Sequence, residues 1–229
     1  MPLFYSNLNI TTTLQQRNLA RIAKGGALAR LQVKPAADME DGSASRTVTL
    51  KEYRRTARVL IAAGGPEYIT TLARSLNSDQ LADENQLPQQ LLRSEIILVP
   101  VLLDKDYKVG DTQSFWQTEV KEVEGTDRNF DIHRADNVVA FPAAFSGAWA
   151  DYLKSEIETA VKKQQIDVFE KGITITVKKN GRILKRTTGQ PPWNFFLSLM
   201  GDGDSAMEVL DGSKFGMPGD SEKYEKQNS

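Results

Sequence analysis

The 229-residue sequence contains no cysteine and a single histidine, His133. Without cysteine there is no disulfide, no thiolate metal site and no thiol nucleophile. One histidine cannot build a His-rich zinc site or an ordinary serine triad. No apolar run approaches the roughly 18 residues of a membrane-spanning helix, and no signal-peptide hydrophobic segment is visible, so the chain reads as soluble. A net charge of −1 offers no general attraction to nucleic acid, which is not expected as a partner. No phosphate-binding or dinucleotide motif occurs, and no cofactor is expected. What remains is a globular composition, 40% hydrophobic and 26% charged, sufficient for one core with tails.

Acidic residues are missing from positions 1–37, which carry Arg17, Arg21, Lys24, Arg30 and Lys34. Leu14, Asn18 and Ile22 share a helix face there, and Ala27, Leu28 and Leu31 can extend it past Gly25-Gly26. Three readings fit: a solvated basic helix on the core, a transit-peptide remnant, and a segment lying beside a membrane. A polar stretch, DMEDGSASR at 38–46, follows as a linker. Residues 1–46 are therefore expected as a basic helical segment with its linker, 47–200 as the main domain, and 201–229 as an acidic, disordered tail. That tail has seven acids against three lysines, a net −4.

Within the main domain, Arg58 to Ala63 and Glu95 to Leu103 are continuous apolar runs of strand length, as in strands buried on both faces. Pro100 predicts a bulge or strand end in the second. Ile69, Leu72, Ala73 and Leu76 form a helical stripe between them, and Pro88 marks a further helical start. Residues 104–136 read as a polar insertion with a short helix around Thr112 to Val120, and Val138 to Phe141 as a brief apolar run. Trp149, Tyr152, Leu153, Glu156, Ile157 and Ala160 trace an amphipathic helix. Ile173, Ile175 and Val177 then alternate with polar residues as a half-buried strand. Asn180-Gly181 suits a type I′ hairpin turn, Arg182 to Thr188 returns, and Pro191-Pro192 starts a helix. Trp193, Phe196, Leu197 and Met200 form its stripe. The order is β-α-β-(insertion)-α-β-β-α, closing in a ββα unit.

This α/β pattern resembles the thioredoxins, with a mixed β-sheet flanked by helices. Ile175 to Gly189 is similar to their last hairpin. Gly64-Gly65-Pro66-Glu67 falls after the first buried strand, where a thioredoxin carries Cys-Gly-Pro-Cys. The resemblance puts Gly64 and Glu67 at the two cysteine positions, and Gly172-Ile173-Thr174 lacks the cis-proline usual before the hairpin. Thiol exchange requires a thiolate, so the resemblance implies the scaffold without its reaction.

RNLARIAKGGALARL at 17–31, TLKEYRRTARVLIAAG at 49–64, EIILVP at 95–100 and GQPPWNF at 189–195 together resemble the C-terminal soluble region of the Low PSII Accumulation 1 family. The resemblance covers most of residues 15–200. It implies a photosystem II assembly or accumulation factor in the chloroplast, acting at the stromal face of the thylakoid. Its partners would be photosystem II subunits or assembly intermediates, with residues 1–37 against the membrane surface. The tetratricopeptide repeats and transmembrane helices usual ahead of this region are absent here, which fits a fragment, a processed form or a short relative.

Candidate protein-binding residues are Pro191, Pro192 and Trp193, which either present an aromatic anchor or start a helix with a core tryptophan. Lys178, Lys179, Arg182, Lys185 and Arg186 make a basic hairpin, suited to guarding a sheet edge or to meeting an acidic protein or anionic lipid. The loop Gly64–Glu67 reads as a turn; the alternatives are an anion cradle or an enzyme site with His133. His133, between Asp131 and Asp136, reads as a surface loop residue, with a base or a metal ligand as the alternatives. Asp202 and Asp204 make half of a calcium loop without its downstream ligands. The expected function is non-catalytic protein binding, with a small-molecule enzyme and a stable subunit of a photosynthetic complex as the alternatives.

Overall fold

Seven consecutive buried residues, Arg58–Gly64, form strand β3 at the centre of a four-stranded sheet. The computed structural model describes residues 4–39, 46–77, 86–120, 130–143, 147–194 and 196–197. Because β3 is covered on both faces and both edges, its sequence can be apolar at every position, which is why the run RVLIAA reads without alternation. The one charged member, Arg58, is buried and donates from Nη1 to the Ser94 carbonyl at 3.2 Å.

Strand β4 (Ile96–Leu102) lies parallel to β3, with Arg58 opposite Ile96 and Gly64 opposite Leu102. Helices α2 (Pro66–Asn77) and α3 (Leu87–Arg93) make the crossover. Pro66 opens α2, and the stripe Ile69, Leu72, Ala73, Leu76 is buried as its spacing predicts. Strand β6 (Ile173–Val177) pairs antiparallel with the other side of β3, and β7 (Ile183–Thr188) pairs antiparallel with β6. The order β4-β3-β6-β7 places the core strands second, first, third, fourth, with only the first two parallel. That is the thioredoxin-like arrangement.

Upstream, α1 (Phe4–Arg30) runs unbroken through Gly25-Gly26 into strand β1 (Gln32–Pro35). Strand β1 pairs with β2 (Val48–Thr49) and with β5 (Ala140–Pro142), making a three-stranded sheet. A single parallel bridge, Leu98 to Val139, links this sheet's edge to β4. Leu28, Leu31 and Val33 join Ile61, Val99, Ile175 and the apolar face of α5 (Gly147–Gln164) in one core. Each such side chain contributes about 1.5–3 kcal/mol on burial. Trp149 on α5 donates its Nε1 to the Gln32 carbonyl at 2.8 Å, tying helix to strand.

The described part of the insertion has order of its own. Asp104 accepts from the amides of Asp106 and Lys108, and Leu103 bridges to Val109. Asp111 caps α4 (Thr112–Phe115) through the Ser114 amide, and a wider turn, Trp116–Val120, continues it. Trp116 meets Phe141 edge-on at 5.7 Å. The short helix around Thr112 to Val120 is therefore present.

Two local expectations are corrected. Pro100 neither ends nor bulges β4; it pairs opposite Ala62 in mid-strand. The amide of Leu102 points outward to Thr112 Oγ1, and the two-residue period puts the proline nitrogen on the same outer side, where its missing N–H costs no sheet bond. The β6–β7 turn is not type I′ either: Gly181 has φ +81°, while Asn180 is not among the positive-φ residues. Gly181 donates to Lys178 and Lys178 to Arg182, a type I turn closed by a glycine bulge.

Residues 1–191 form one compact unit and 192–229 a second. In the second, the backbone is helical at 193–194 and 196–197, and the Phe196 amide bonds to the Pro192 carbonyl. The expected acidic tail, 201–229, lies outside the described residues, as do Asp202 and Asp204.

Candidate functional site

The carboxyl ends of β3 and β4 are where a doubly covered α/β sheet ordinarily opens to a ligand. Here that place is filled. Both Gly64 and Gly65 are buried. The Tyr68 ring lies so close to Gly64 that a Cβ there would sit 2.5 Å from ring carbon Cδ1. Gly65 is packed in the same way against Phe169, and its amide donates to the Phe169 carbonyl at 2.8 Å. Phe169 belongs to α6 (Val168–Lys171), a single turn capped by Asp167, which accepts from the amides of Phe169 and Glu170. The Gly65 amide is used and Pro66 has no N–H, so two backbone positions of the loop offer no donor to an anion.

Tyr68 completes the closure. Its hydroxyl donates to the Gly189 carbonyl at 3.2 Å and shares a 3.2 Å hydrogen bond with Thr174 Oγ1. Gln190 in turn donates to the Tyr68 carbonyl at 2.8 Å. Burial pushes the phenol pKa up to about 12, against a smaller opposing effect of the Thr174 bond. Glu67, at the second cysteine position of the thioredoxin resemblance, is exposed on α2's first turn. That is an ordinary place for an acid beside a helix N-terminus.

A second cluster sits on the other face of the sheet. Glu156 lies on the apolar stripe of α5 and is buried, yet carries three short polar contacts. Arg186 grips it with Nε at 2.7 Å and Nη2 at 3.0 Å, and Lys24 of α1 reaches it at 2.7 Å. Burial raises the carboxyl pKa, but the hydrogen bonds and charges of Arg186 and Lys24 outweigh it, so the net shift is downward. Beside it the Tyr152 hydroxyl is buried without a hydrogen-bond partner among the described residues. Burial first, and the Glu156 charge second, drive its pKa up. Past this cluster a groove of about 380 Å³ runs between α5 and the β6–β7 strands, lined by Thr159, Ala160, Gln164, Ile173, Ile175 and Thr188 among others.

The remaining candidates fall apart spatially. On the basic hairpin, Lys179 pairs with Glu95 and Arg186 with Glu156, while Lys178 is half-buried and Arg182 exposed. Pro191 is buried, Pro192 exposed and Trp193 half-buried. His133 is exposed, with Nδ1 2.8 Å from Asp136 Oδ2. It borders a small hollow of about 90 Å³ with Trp116, Ile132 and Phe141, which shares no lining residue with the Gly64–Glu67 loop. Among the described residues no three acids or histidines gather as metal ligands, and no helix is long and apolar enough to cross a membrane. Tyr68, Phe169 and the Glu156–Arg186 pair are not singled out by sequence motifs. The available signal was Glu156 itself, a carboxylate on an apolar helix stripe.

No protein-family model matches this sequence, and no curated protein does either. Solved structures with similar backbones include BsSco, a member of the Sco family of cytochrome c oxidase assembly proteins. It is 14% identical, with 80% of this chain and 94% of that one covered and a TM-score of 0.40. The thioredoxin domain of a thiol-disulfide oxidoreductase from Bacteroides vulgatus is 11% identical over 76% and 95%, TM-score 0.40. The mitochondrial 2-Cys peroxiredoxin of Plasmodium falciparum is 13% identical over 82% and 94%, TM-score 0.39. The fold assignment rests on strand order and not on these likenesses.

Proposed function

We propose that this chain is a non-catalytic protein-binding module, a photosystem II assembly or accumulation factor working at the stromal face of the thylakoid in the chloroplast. The observation that carries the non-catalytic part is the strand-end closure. Gly64 and Glu67 stand where thiol exchange would need cysteines, and the Tyr68 ring occupies the adjoining space. The pathway and location are supported by the four sequence stretches that resemble the Low PSII Accumulation 1 family.

In this reading the partner meets exposed surface, with Pro192, Trp193 and Arg182 as the accessible members of the predicted set. Pro191, Lys178 and Lys179 belong to the same predicted binding set and are less exposed. Residues 1–37 would rest on the thylakoid membrane surface. Their support is Leu19 and Ile22 on α1, exposed at 66% and 69%, beside Arg21. The test is affinity purification of the tagged full chain from solubilised thylakoids, with mass spectrometry of what accompanies it. Photosystem II core proteins below equimolar level are the expected result. Recovery of only an unrelated complex, or of nothing, overturns the reading.

A further inference from the structure

The two edges of the four-stranded sheet are treated differently. Along β4 the outer side is closed: Leu98 bridges to Val139, Pro100 has no N–H, and the Leu102 amide is taken by Thr112 Oγ1. The Leu102 carbonyl accepts from Gly110. Those are the devices by which sheets blunt an edge. Strand β7 has no neighbour beyond β6 among the described residues.

Its hydrogen-bonding sense can be read from the register. Gly189 donates inward to the Gly172 carbonyl, so by the two-residue period Thr187 and Lys185 also face β6. The backbone groups of Arg186 and Thr188 therefore face outward. Thr188 and Lys185 are exposed, and the 380 Å³ groove opens beside this same edge, floored by Ile173, Ile175 and Ala160. An added strand would satisfy the outward backbone groups and send alternate side chains over the groove.

Charge decides the occupant. Glu156 is outnumbered by Arg186 and Lys24, leaving that cluster at net +1, and exposed Arg182 adds a further positive charge at the turn before β7. A second copy pairing antiparallel through β7 would bring these cations face to face. We infer that the β7 edge takes an extended, acidic and aliphatic segment of another polypeptide by strand addition. This deepens the protein-binding reading and rests on it.

The probe is a synthetic peptide alternating glutamate and valine, with the lysine–valine peptide as control, applied to the full chain. Hydrogen exchange at the Arg186 and Thr188 amides is expected to slow about tenfold or more with the acidic peptide only. Thr188→Pro, which removes an outward N–H that β6 does not use, should abolish the effect without unfolding the sheet. Thr159→Trp, which fills the groove from exposed α5, should weaken it even if the proline variant fails to fold. Protection at neither amide, equal protection by both peptides, or retention in Thr159→Trp together with a folded Thr188→Pro overturns the inference. So does a wild-type dimer, by analytical ultracentrifugation, that Thr188→Pro dissolves. Thylakoid partners recovered equally by wild type and Thr188→Pro would sink the edge but leave the protein-binding reading. Edge protection with no partner recovered would do the reverse.

Discussion

Tyr68 and Gly172 are locked together: Gly172 has φ +73° and ψ 167°, and a Cβ built on it would lie 2.2 Å from Cε2 of the Tyr68 ring. The pairing joins α2 to the start of β6 at the one place where a thioredoxin-like sheet would otherwise open. The backbone region Gly172 occupies is essentially closed to other residues.

Gly172→Ala should therefore destabilise by more than about 3 kcal/mol, combining backbone strain with displacement of the ring. Tyr68→Phe keeps the ring and loses the bonds to Thr174 and Gly189, for about 1 kcal/mol. Urea unfolding of both variants measures this ordering, and equal effects would contradict it.

The raised phenol pKa of Tyr68 carries a sign. The folded state holds the neutral form, so this stabilisation is complete below the ordinary value of 10.0 and is lost as pH rises toward about 12. Tyrosinate absorbance and unfolding should appear together in that window, with the Tyr68→Phe midpoint shifting less with pH.

Restoring the thioredoxin cysteines should not restore the reaction. In the double variant Gly64→Cys, Glu67→Cys, the first new side chain meets the Tyr68 ring at 2.5 Å. The expected results are a stability loss of about 1–3 kcal/mol and no turnover in an insulin-reduction assay. Efficient turnover would show that the ring yields easily.

Glu156 predicts acid sensitivity. Its folded pKa lies below 4.5 because Arg186 and Lys24 outweigh burial, so its stabilisation is present above 4.5 and lost as pH falls through the lower folded value. Glu156→Gln should cost about 2 kcal/mol at neutral pH and flatten the stability profile below 4.5. Thermal melts across that range decide it.

The basic first segment makes a separable claim. Flotation of the full chain with phosphatidylglycerol vesicles should be salt-sensitive, and Leu19→Ser with Ile22→Ser should reduce it. Both side chains are exposed, so melting should not move. Flotation that ignores salt and both substitutions would remove the membrane contact from the proposal.

Local pattern in the sequence determined the core strands, the stripes of α2 and α5, the proline start of α3 and the β-α-β…β-β order. These depend on periodicity and on residues that bias their own backbone. Tertiary structure alone decided that Leu28 to Val33 enter the same core as β3, because strand β1 finds its partners, Val48–Thr49 and Ala140–Pro142, at long range. It also decided the turn at Gly181, where Asn-Gly allows more than one geometry, and the harmless place of Pro100, which depends on which side of β4 is covered. The Tyr68 closure and the Lys24–Glu156–Arg186 cluster join residues from separate elements, and no spacing in the chain encodes such meetings. Their energies come from burial and from charges brought together out of water, and those exist only once the chain has folded.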